Sequence, residues 1–363
     1  MDSDLRSAQP IKGSPRVSIV IVTYKGVSFV ASCLDTVAAQ SYGDAEVVVV
    51  ENGSADGTAE LIRNKYPWVR LVESPSNRGF SGGVNLGVER ARGSLIALLN
   101  NDGHPAQRWL EELVAVYDKS EAADLVSSVI KNEGGGDLEE KYGWTLNVLG
   151  RSHRHPATPP SFLFFGAGAG MLFRKSEYNP PFPESYFIYN EDTYLGLLAR
   201  LRGHQVRVAE RSIVQHEGSA TMKKMHVIGA FHGEKNRLTN NLVFWERRTV
   251  YRLVPLLALD LLFHLRRYPV PLLKAVAWVL ASQRTIHRMR AEIQSTRKVP
   301  DAAMLRFVSS QVSHGEGRWV RLANTFSAAY CQALQIPTLE SSRPFDVTGQ
   351  TEGTPRPTGA PLA

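Results

Sequence analysis

A regular alternation of short apolar runs and helical segments within residues 17–119 constrains the fold of this chain more than any other feature. The apolar runs are nearly continuous and rich in β-branched residues, which is typical of strands buried on both faces of a sheet. Strands that alternate with helices at this interval favour an α/β fold with a parallel, doubly wound sheet. The predicted strands are residues 17–24, 46–50, 69–72 and 95–99, and the predicted helices are residues 27–40, 58–66, 82–92 and 109–119.

Polar side chains stand at the end of every predicted strand. Ligands of such sheets bind beyond the carboxyl ends of the strands, so a site is expected at this edge. The polar pairs are Thr23 and Tyr24, Glu51 and Asn52, Glu73 and Ser74, and Asn101 and Asp102.

A second group of acids lies far along the chain from Asp102. Glu191 and Asp192 open a segment whose leucines at 195, 197, 198 and 201 predict a helix. Acids at a helix N-terminus are favoured by the helix dipole alone, and this purely structural interpretation stays open. One acid that can hold a metal and another that can accept a proton favour group transfer from a diphosphate-activated donor.

The region between the two groups is harder to interpret. Residues 131–160 are rich in Gly, Pro and His and predict a loop. Gly168, Gly170 and Met171 belong to a glycine-rich segment that predicts either a tight turn or a close approach of the backbone to a ligand. Beyond the second group of acids, residues 206–208 predict a short strand, and Val214, Gln215 and His216 follow it.

The basic charge of the chain is concentrated in one C-terminal segment. The formal net charge is +7, and residues 223–298 carry 15 Lys and Arg against 4 Asp and Glu. Apolar stretches at 253–265 and 270–280 predict amphipathic helices with basic edges. Such helices can lie on an anionic membrane, or pack on the core or on a second copy in a homodimer, and these alternatives stay open. Nucleic acid is excluded as a partner because no recognisable binding module accompanies the charge.

The termini and the cysteines indicate the expected compartment. Residues 1–15 are polar and lack the apolar core of a signal peptide, and no apolar stretch reaches about 18 residues. Cys33 and Cys331 lack the spacing of metal ligands and are expected to be buried thiols. We expect a cytoplasmic protein, with the inner face of the cell membrane as a candidate contact, and disordered tails at 1–15 and 341–363.

Five segments in this order resemble the family 2 inverting glycosyltransferases with the GT-A fold, in particular their rhamnosyltransferase-like branch. The resemblance covers roughly residues 16–220 and implies a Rossmann-like, mostly parallel sheet with flanking helices. It implies a catalytic domain at 16–225, with a nucleotide-binding half at 16–105 and an acceptor half at 106–225, followed by a helical region at 226–340. The segments are VSIVIVTY at 17–24, ENGSADGT at 51–58, NRGFSGGVNLG at 77–87, LLNND at 98–102 and YNED at 189–192.

The resemblance implies that the first three segments bind the nucleotide-sugar donor. Thr23 and Tyr24 would line the pocket, and Glu51 would accept a hydrogen bond from a pyrimidine base, with Asn52 beside it. Glu51 stands where the family usually has Asp, and the alternative for its carboxylate is to act as the helix cap of the following segment. Arg78, Gly79 and Asn85, around the start of a helix, would meet phosphate or ribose.

The resemblance also implies a metal site. Asn100, Asn101 and Asp102 stand where the family has its Asp-x-Asp-like motif, and Asp102 would bind the Mg²⁺ or Mn²⁺ that bridges the donor diphosphate. The neutral Asn100 departs from the motif and lowers the charge of the site. His216 would approach the metal or the diphosphate, and a structural role is its alternative.

Catalysis is expected at the last segment. Asp192 would be the base of a single in-line displacement, and Glu191 would orient it or hold the acceptor. Gly168, Gly170 and Met171 would form the acceptor-side wall. Tyr194 departs from the family, which often has a second Asp there.

The expected function is an inverting hexosyltransferase that uses dTDP-rhamnose or a UDP-hexose and acts on a saccharide or lipid-linked saccharide in polysaccharide or cell-wall synthesis. The alternative is a carbohydrate- or nucleotide-binding protein whose catalytic site has decayed. A nucleotidyltransferase would need a glycine-rich phosphate loop with a basic residue after the first strand, and Lys25-Gly26 is too short a match.

Overall fold

The structure is a computed structural model in which residues 14–121, 124–132, 139–141, 143–154, 163–166, 168–216, 226–266, 268–313 and 317–342 are described. The predicted tails fall almost wholly outside these ranges, at residues 1–13 and 343–363.

The first half of the chain forms the parallel part of a large sheet. Its strands are β1 (Val17–Thr23), β2 (Ala45–Glu51), β3 (Arg70–Glu73) and β4 (Leu95–Asn100), which lie in the order β3-β2-β1-β4 and pair in parallel. The intervening helices are α1 (Val30–Ala38), α2 (Thr58–Lys65) and α3 (Gly79–Arg90). The predicted alternation is confirmed, although α3 begins three residues before the predicted Gly82.

Strand β1 shows why the apolar runs lack an alternating pattern. Val17, Ile19 and Ile21 lie in one buried cluster, while Val20 and Val22 lie in a second cluster on the other face. A strand covered by helices on both sides must be apolar at every position.

The structure after β4 differs from the sequence-based predictions in three places. Residues 131–160 are not simply a loop, because strands β7 (Glu139–Lys141), β8 (Trp144–Asn147) and β9 (Ser152–Arg154) lie there. These strands are three to four residues long, too short for periodicity to reveal. The predicted turn at Gly170 and Met171 is strand β10 (Gly170–Arg174), antiparallel to β4. The predicted short strand at 206–208 continues to His216 as β11 (Val206–His216), and the register shifts between Ala209 and Ile213.

The remaining elements of this half complete the sheet and one flank. They are β5 (Gly103–Pro105), α4 (Trp109–Tyr117), β6 (Leu125–Asn132) and α5 (Glu191–Leu201), and a 3-10 turn lies at Glu184–Tyr186. The sheet continues from β4 through β10, β6 and β11 to β5, with β7 paired to β6.

The predicted helical character after residue 226 is confirmed. The elements are α6 (His226–Phe244), α7 (Arg247–Leu265), α8 (Pro269–Ala281), α9 (Gln283–Ser295), α10 (Asp301–Leu305), β12 (Val308–Ser309), α11 (Arg318–Ala333) and α12 (Leu339–Ser342). Strand β12 pairs with β8, so this region also contributes to a small second sheet with β9. Within the described ranges, no helix combines the length and the apolar character needed to cross a membrane.

Candidate active site

The carboxyl ends of β1 and β4 are tied together by side chains. The Thr23 hydroxyl, which is buried, accepts a hydrogen bond of 3.1 Å from Asn101 Nδ2. Gly26 packs against both, since a Cβ there would lie 2.1 Å from Thr23 Oγ1. Tyr24, directly after β1, is partly exposed at this edge. Thr23 and Asn101 are thus parts of one rigid corner.

Glu51 caps the turn that follows β2. Its Oε1 accepts a 2.8 Å hydrogen bond from the Ser54 N–H, and its Oε2 accepts one of 3.2 Å from the Gly53 N–H. The carboxylate therefore closes this turn, whereas the helix cap expected as its alternative is not observed, since α2 has Gly57 at its N-cap and no side-chain cap bond. A carboxylate has about four acceptor positions, so these two bonds leave capacity for a base.

Asn52 holds the segment that leads into α3. The side chain is buried; its Nδ2 donates to the Gly79 carbonyl at 2.9 Å, and its Oδ1 accepts from the Arg78 N–H at 3.1 Å. Gly79 has φ +69°, and a Cβ there would lie 2.3 Å from the Phe187 carbonyl oxygen. The close approach of residues 78–79 to Phe187 therefore requires glycine.

Arg78 and Asn85 contact the protein on the same side. The Arg78 guanidinium forms an ion pair with Glu184 and is partly exposed. Asn85 Nδ2 donates to the Phe182 carbonyl at 2.7 Å, and its Oδ1 accepts from the Phe182 N–H at 3.2 Å. Both side chains thus link α3 to residues 182–184.

Asp102 and His216 lie together beyond the ends of β4 and β11. Asp102 Oδ1 lies 3.2 Å from His216 Nε2, and Asn100 Nδ2 lies 3.2 Å from the same nitrogen. Strand β5 pairs with the end of β11 and sets this approach, since Gly103 is opposite His216. Searching the described part of the chain gives no cluster of three or more His, Cys, Asp or Glu that could hold a metal.

These three side chains fit a divalent ion that takes most of its ligands from substrate and water. One carboxylate, an imidazole and an amide meet at a partly buried point, and Mg²⁺ sites commonly use only one or two carboxylates together with substrate phosphates. A complete protein cage is not needed for such a site.

Gly168 lies beside Asp192 and shows how Asp192 is placed relative to Asp102. A Cβ at Gly168 would lie 3.7 Å from the Asp192 Cβ, so the two backbones are adjacent. Gly170 pairs with Leu99 in the antiparallel β10–β4 ladder, and Gly168 precedes it by two residues. In an antiparallel ladder, the residues before Gly170 lie alongside the residues after Leu99, and these include Asn101 and Asp102. The two acids therefore lie at the same edge of the sheet.

Gly170 and Met171 lie within β10 rather than on an open surface. Met171 is buried in the core, and a Cβ at Gly170 would lie 3.0 Å from Ser128. Of the three residues expected on the acceptor side, only Gly168 is placed beside Asp192.

Helix α5 begins at Glu191 after an irregular turn. Phe187, Tyr189 and Asn190 all have positive φ, at 63°, 70° and 60°. Non-glycine residues in this region cost about 1 kcal/mol or more each, so the surrounding structure must impose the turn. Tyr194 packs edge-on against Tyr186 and Phe244, with ring centroids 5.6 and 5.2 Å away, so this departure from the family serves helix packing.

The carboxylates at the start of α5 lie in an environment of low polarity. Burial raises the pKa of Glu191, and the charge of Asp192 raises it further. Burial also raises the pKa of Asp192, although a 2.7 Å hydrogen bond from the Thr193 N–H opposes this shift. Glu191 Oε2 is buried without a hydrogen-bond partner among the described residues. Paired acids with raised pKa values are typical of proton-transfer sites.

Helix α6 holds the irregular turn, a contact that was not predicted from the sequence. Asn236 is fully buried, and its Nδ2 lies 3.0, 3.0 and 2.6 Å from the carbonyl oxygens of Tyr186, Ile188 and Tyr189. Asn190 Nδ2 donates to the Gly233 carbonyl at 2.9 Å.

Two further α6 side chains extend this contact. Lys235 Nζ donates to the Ser185 carbonyl, and burial lowers the pKa of this lysine to about 8. Asn240 accepts a 2.5 Å hydrogen bond from the Tyr186 hydroxyl. The polar residues on the inner face of this otherwise amphipathic helix could have indicated its contact with the turn. The basic residues nearby favoured the interpretation as a membrane contact instead.

Comparisons with known proteins find similarity to glycosyltransferases. Residues 18–178 match the family model Glycosyl transferase family 2. Glycosyltransferase AglE of Haloferax volcanii is 33% identical over 141 residues, which are 37% of this chain and 46% of that protein. An uncharacterized glycosyltransferase of Haemophilus influenzae is 23% identical over 241 residues, 59% of this chain and 73% of its own length. The chain thus spans only about half of the first relative.

A solved structure supports the fold. The crystal structure of S. aureus TarS 1-349 in complex with UDP-GlcNAc is similar with a TM-score of 0.50 and 15% identity, and the match covers 88% of this chain and 90% of that one. This likeness agrees with the α/β fold class expected from the sequence, a mostly parallel sheet with flanking helices.

Proposed function

We propose that this chain, whose residues 18–178 form a family 2 glycosyltransferase domain, is an inverting enzyme that moves a sugar from a nucleoside-diphosphate donor to an acceptor hydroxyl. The observation that carries the proposal is the placement of Asp192 at the sheet edge that also holds Asp102. A base and a diphosphate-binding acid on one edge suit a single displacement at the anomeric carbon.

In this reaction Asp192 accepts the proton of the acceptor hydroxyl. The acceptor oxygen forms its bond to the anomeric carbon while the bond from that carbon to the diphosphate breaks, and the nucleoside diphosphate leaves with the bonding electrons. The raised pKa of Asp192 brings its basicity closer to neutral pH, which favours proton transfer. Glu191 orients Asp192 or holds the acceptor.

Asp102 and His216, with Asn100 beside them, would hold a divalent ion, Mg²⁺ or Mn²⁺. Such an ion supplies charge stabilisation for the departing diphosphate. The Asp102 carboxylate is the anionic ligand, and the neutral Asn100 leaves the substrate phosphates to complete the charge balance.

The donor half would bind a pyrimidine nucleotide sugar. Thr23, Tyr24, Glu51 and Arg78 lie at the ends of β1, β2 and β3 or just after them. We propose dTDP-rhamnose or a UDP-hexose as donor, since the sequence resembles the rhamnosyltransferase-like branch and the similar TarS structure contains UDP-GlcNAc.

The acceptor would be a saccharide or a lipid-linked saccharide. Large apolar side chains are exposed on α7 and α8, including Leu262 and Leu273, and basic residues such as Arg248 and Lys274 lie on the same helices. This combination suits an anionic membrane surface at the inner face of the cell membrane, and a second copy of the chain is the alternative contact.

Donor hydrolysis tests the proposal. Purified protein is incubated with Mg²⁺ or Mn²⁺ and a panel of UDP-, dTDP- and GDP-sugars, and the released nucleoside diphosphate is measured. One donor is expected to be hydrolysed in a metal-dependent way. Asp192→Asn is expected to lower the rate by about 10²- to 10⁴-fold while donor binding by calorimetry is retained. Donor binding without turnover in the wild type, with acceptors present, would favour the decayed-site alternative.

A further inference from the structure

A long groove runs between helices α6, α7, α8 and α11, outside the donor site. Its volume is about 840 Å³, which is within the range of cavities that bind small organic ligands. The groove has an apolar wall and a polar floor. The wall is formed by Leu259, Phe263, Tyr268, Trp319 and Phe326, and the floor by Arg151, Glu234, Arg237 and Asp260.

The wall is exposed to an unusual degree. Phe263 is 75% exposed and Trp319 is 81% exposed, and they come from different helices, α7 and α11. Contiguous apolar surface of this kind marks a binding site more often than scattered single residues do.

The floor is polar but electrically balanced. Arg151 bonds Glu234 at 2.9 Å and Asp260 at 2.8 Å, and Arg237 bonds the same two acids at 2.6 and 2.9 Å. The two guanidinium groups and the two carboxylates therefore neutralise each other. Such a floor suits an uncharged group with many hydroxyls better than an anionic phosphate, which would need unpaired positive charge.

The groove reaches the residue that directly precedes the candidate catalytic acids. Asn190 lines it, and the next two residues along the chain are Glu191 and Asp192. Gly233, whose carbonyl accepts the hydrogen bond from Asn190, also lines it. A molecule lying in the groove would thus have one end near the proposed base.

We propose that the groove binds an amphipathic acceptor, with a hydrocarbon chain along the Phe263 and Trp319 wall and an uncharged sugar end on the floor beside Asn190. The inference rests on the proposed transferase function and specifies the acceptor class as a sugar joined to a long hydrocarbon. Continuity with Asn190 and the neutral floor together favour this occupant over an anionic lipid headgroup or a second copy of the chain.

A chain-length series tests the proposal directly. The full chain is titrated with hexyl, octyl and decyl β-D-glucosides below their micelle concentrations, and binding is followed by calorimetry and by tryptophan fluorescence. Burial of one methylene contributes about 0.8 kcal/mol, so affinity is expected to rise by up to about fourfold per methylene. Free glucose is expected to bind far more weakly than the decyl glucoside.

Matched variants locate the binding. Phe263→Ser and Trp319→Ser are expected to lose the dependence on chain length. Tyr251→Ser is the control, because Tyr251 is 73% exposed on the same helix as Phe263 but does not line the groove. The control is expected to behave as the wild type does.

Several results would overturn the proposal. Affinity that does not change with chain length, or that survives in both groove variants, places the hydrocarbon elsewhere. If Phe263→Ser converts a dimer to a monomer in sedimentation while no glucoside binds, the groove is a self-association surface. If phosphatidylglycerol vesicles are bound in a way that Phe263→Ser abolishes, and glucosides are not, the groove is a membrane contact.

Donor hydrolysis and donor binding, measured on the same proteins, separate this inference from the proposed function. Groove variants that still hydrolyse the donor but have lost the chain-length dependence support the groove with the function intact. A wild type that binds glucosides but no nucleotide sugar ends the transferase proposal and, because the inference rests on it, the acceptor assignment as well.

Discussion

Two parts of the candidate site are held in place in different ways. The donor side is built at the ends of β1, β2 and β4. These strands are neighbours in the sheet and pair in parallel, which brings Thr23 and Asn101 together. The segment that leads to Asp192 has an irregular backbone, and side chains of α6 hold it from 47–50 residues further along the chain. A regular sheet places one half, and a buried amide network places the other.

The C-terminal helices therefore help to position the segment that carries Asp192. Asn236 contacts three carbonyls of the turn before α5. The turn contains three residues with positive φ, which would relax without such contacts. If α6 positions the Asp192 segment and the sheet positions the donor side, changes to α6 should alter turnover. Changes at the strand ends should alter donor and metal binding.

Apart from Asp192→Asn, the largest effect is expected where Asp102 is proposed to bind the metal. Asp102→Asn removes the anionic ligand next to His216 while keeping its shape. We expect turnover to fall by about 10²- to 10³-fold, as for the loss of one group that stabilises transition-state charge. Metal affinity, measured by titrating Mn²⁺ in the presence of nucleoside diphosphate, should fall in parallel.

Asn100→Asp is the matched variant in the opposite direction. It adds a carboxylate beside His216, so metal affinity is expected to rise. If Asp102→Asn leaves metal affinity unchanged, the assignment of the ion to this corner is wrong.

The second effect is expected on α6. Asn236→Leu removes the two N–H donors that serve three carbonyls of the turn, and a displacement of about 1 Å at a reacting group can cost about 10²-fold in rate. We expect kcat to fall by this order while the KM for donor stays nearly constant. Steady-state kinetics with the donor concentration varied at saturating acceptor measures both.

Asn241→Leu is the control for Asn236→Leu. Asn241 is also buried on α6, but its Nδ2 bonds Leu149 and Arg237 rather than the turn. Both variants should lower the melting temperature, and only Asn236→Leu should lower kcat. Equal losses of kcat would mean that α6 acts only through general stability.

The sequence predicted the parallel strands well and the second half of the sheet poorly for a physical reason. Buried parallel strands have a distinctive composition, so β1, β2 and β4 and the polar residues after them could be located from the sequence. Strands β7, β8 and β9 are too short for a periodic pattern. The function of Asn236 depends on which face of α6 meets the turn, and no local pattern encodes that contact.

Glycine at 168 illustrates the same limit. The sequence suggested a close backbone approach there, but only the register of β10 on β4 shows that its neighbours are Asp192 and the end of β4. Pairing between distant segments decides such contacts.

The third effect concerns stability on the donor side. Asn52→Ala removes the amide that bonds Gly79 and Arg78 within a buried site. We expect the free energy of unfolding to fall by about 1–3 kcal/mol, because buried backbone groups lose their partner. Urea denaturation measures this loss.

Asn64→Ala serves as the comparison for Asn52→Ala, since Asn64 is exposed on α2. Its unfolding free energy should change by less than about 0.5 kcal/mol. A similarly small change in Asn52→Ala would mean that the sheet alone fixes this corner.

The smallest effect, and the sharpest test of the Asp192 side, is a shift along the pH axis. A base must be deprotonated to act, and burial raises the pKa of Asp192 above the ordinary value of about 3.9. The rate should therefore fall with decreasing pH at a higher pH than an exposed aspartate would give. Burial raises the pKa of Glu191, and the charge of Asp192 raises it further, so Asp192 loses its proton first as pH rises.

Glu191→Gln mimics the protonated form of Glu191, so the acid limb of the kcat/KM profile should stay at the same pH. If repulsion from Glu191 set the pKa of Asp192, the acid limb would shift to lower pH in this variant. An acid limb near the ordinary aspartate value in the wild type would mean that Asp192 is exposed during turnover. In that case the contacts from α6 do not enclose the base, and the contrast between the two halves of the site would lose its main physical consequence.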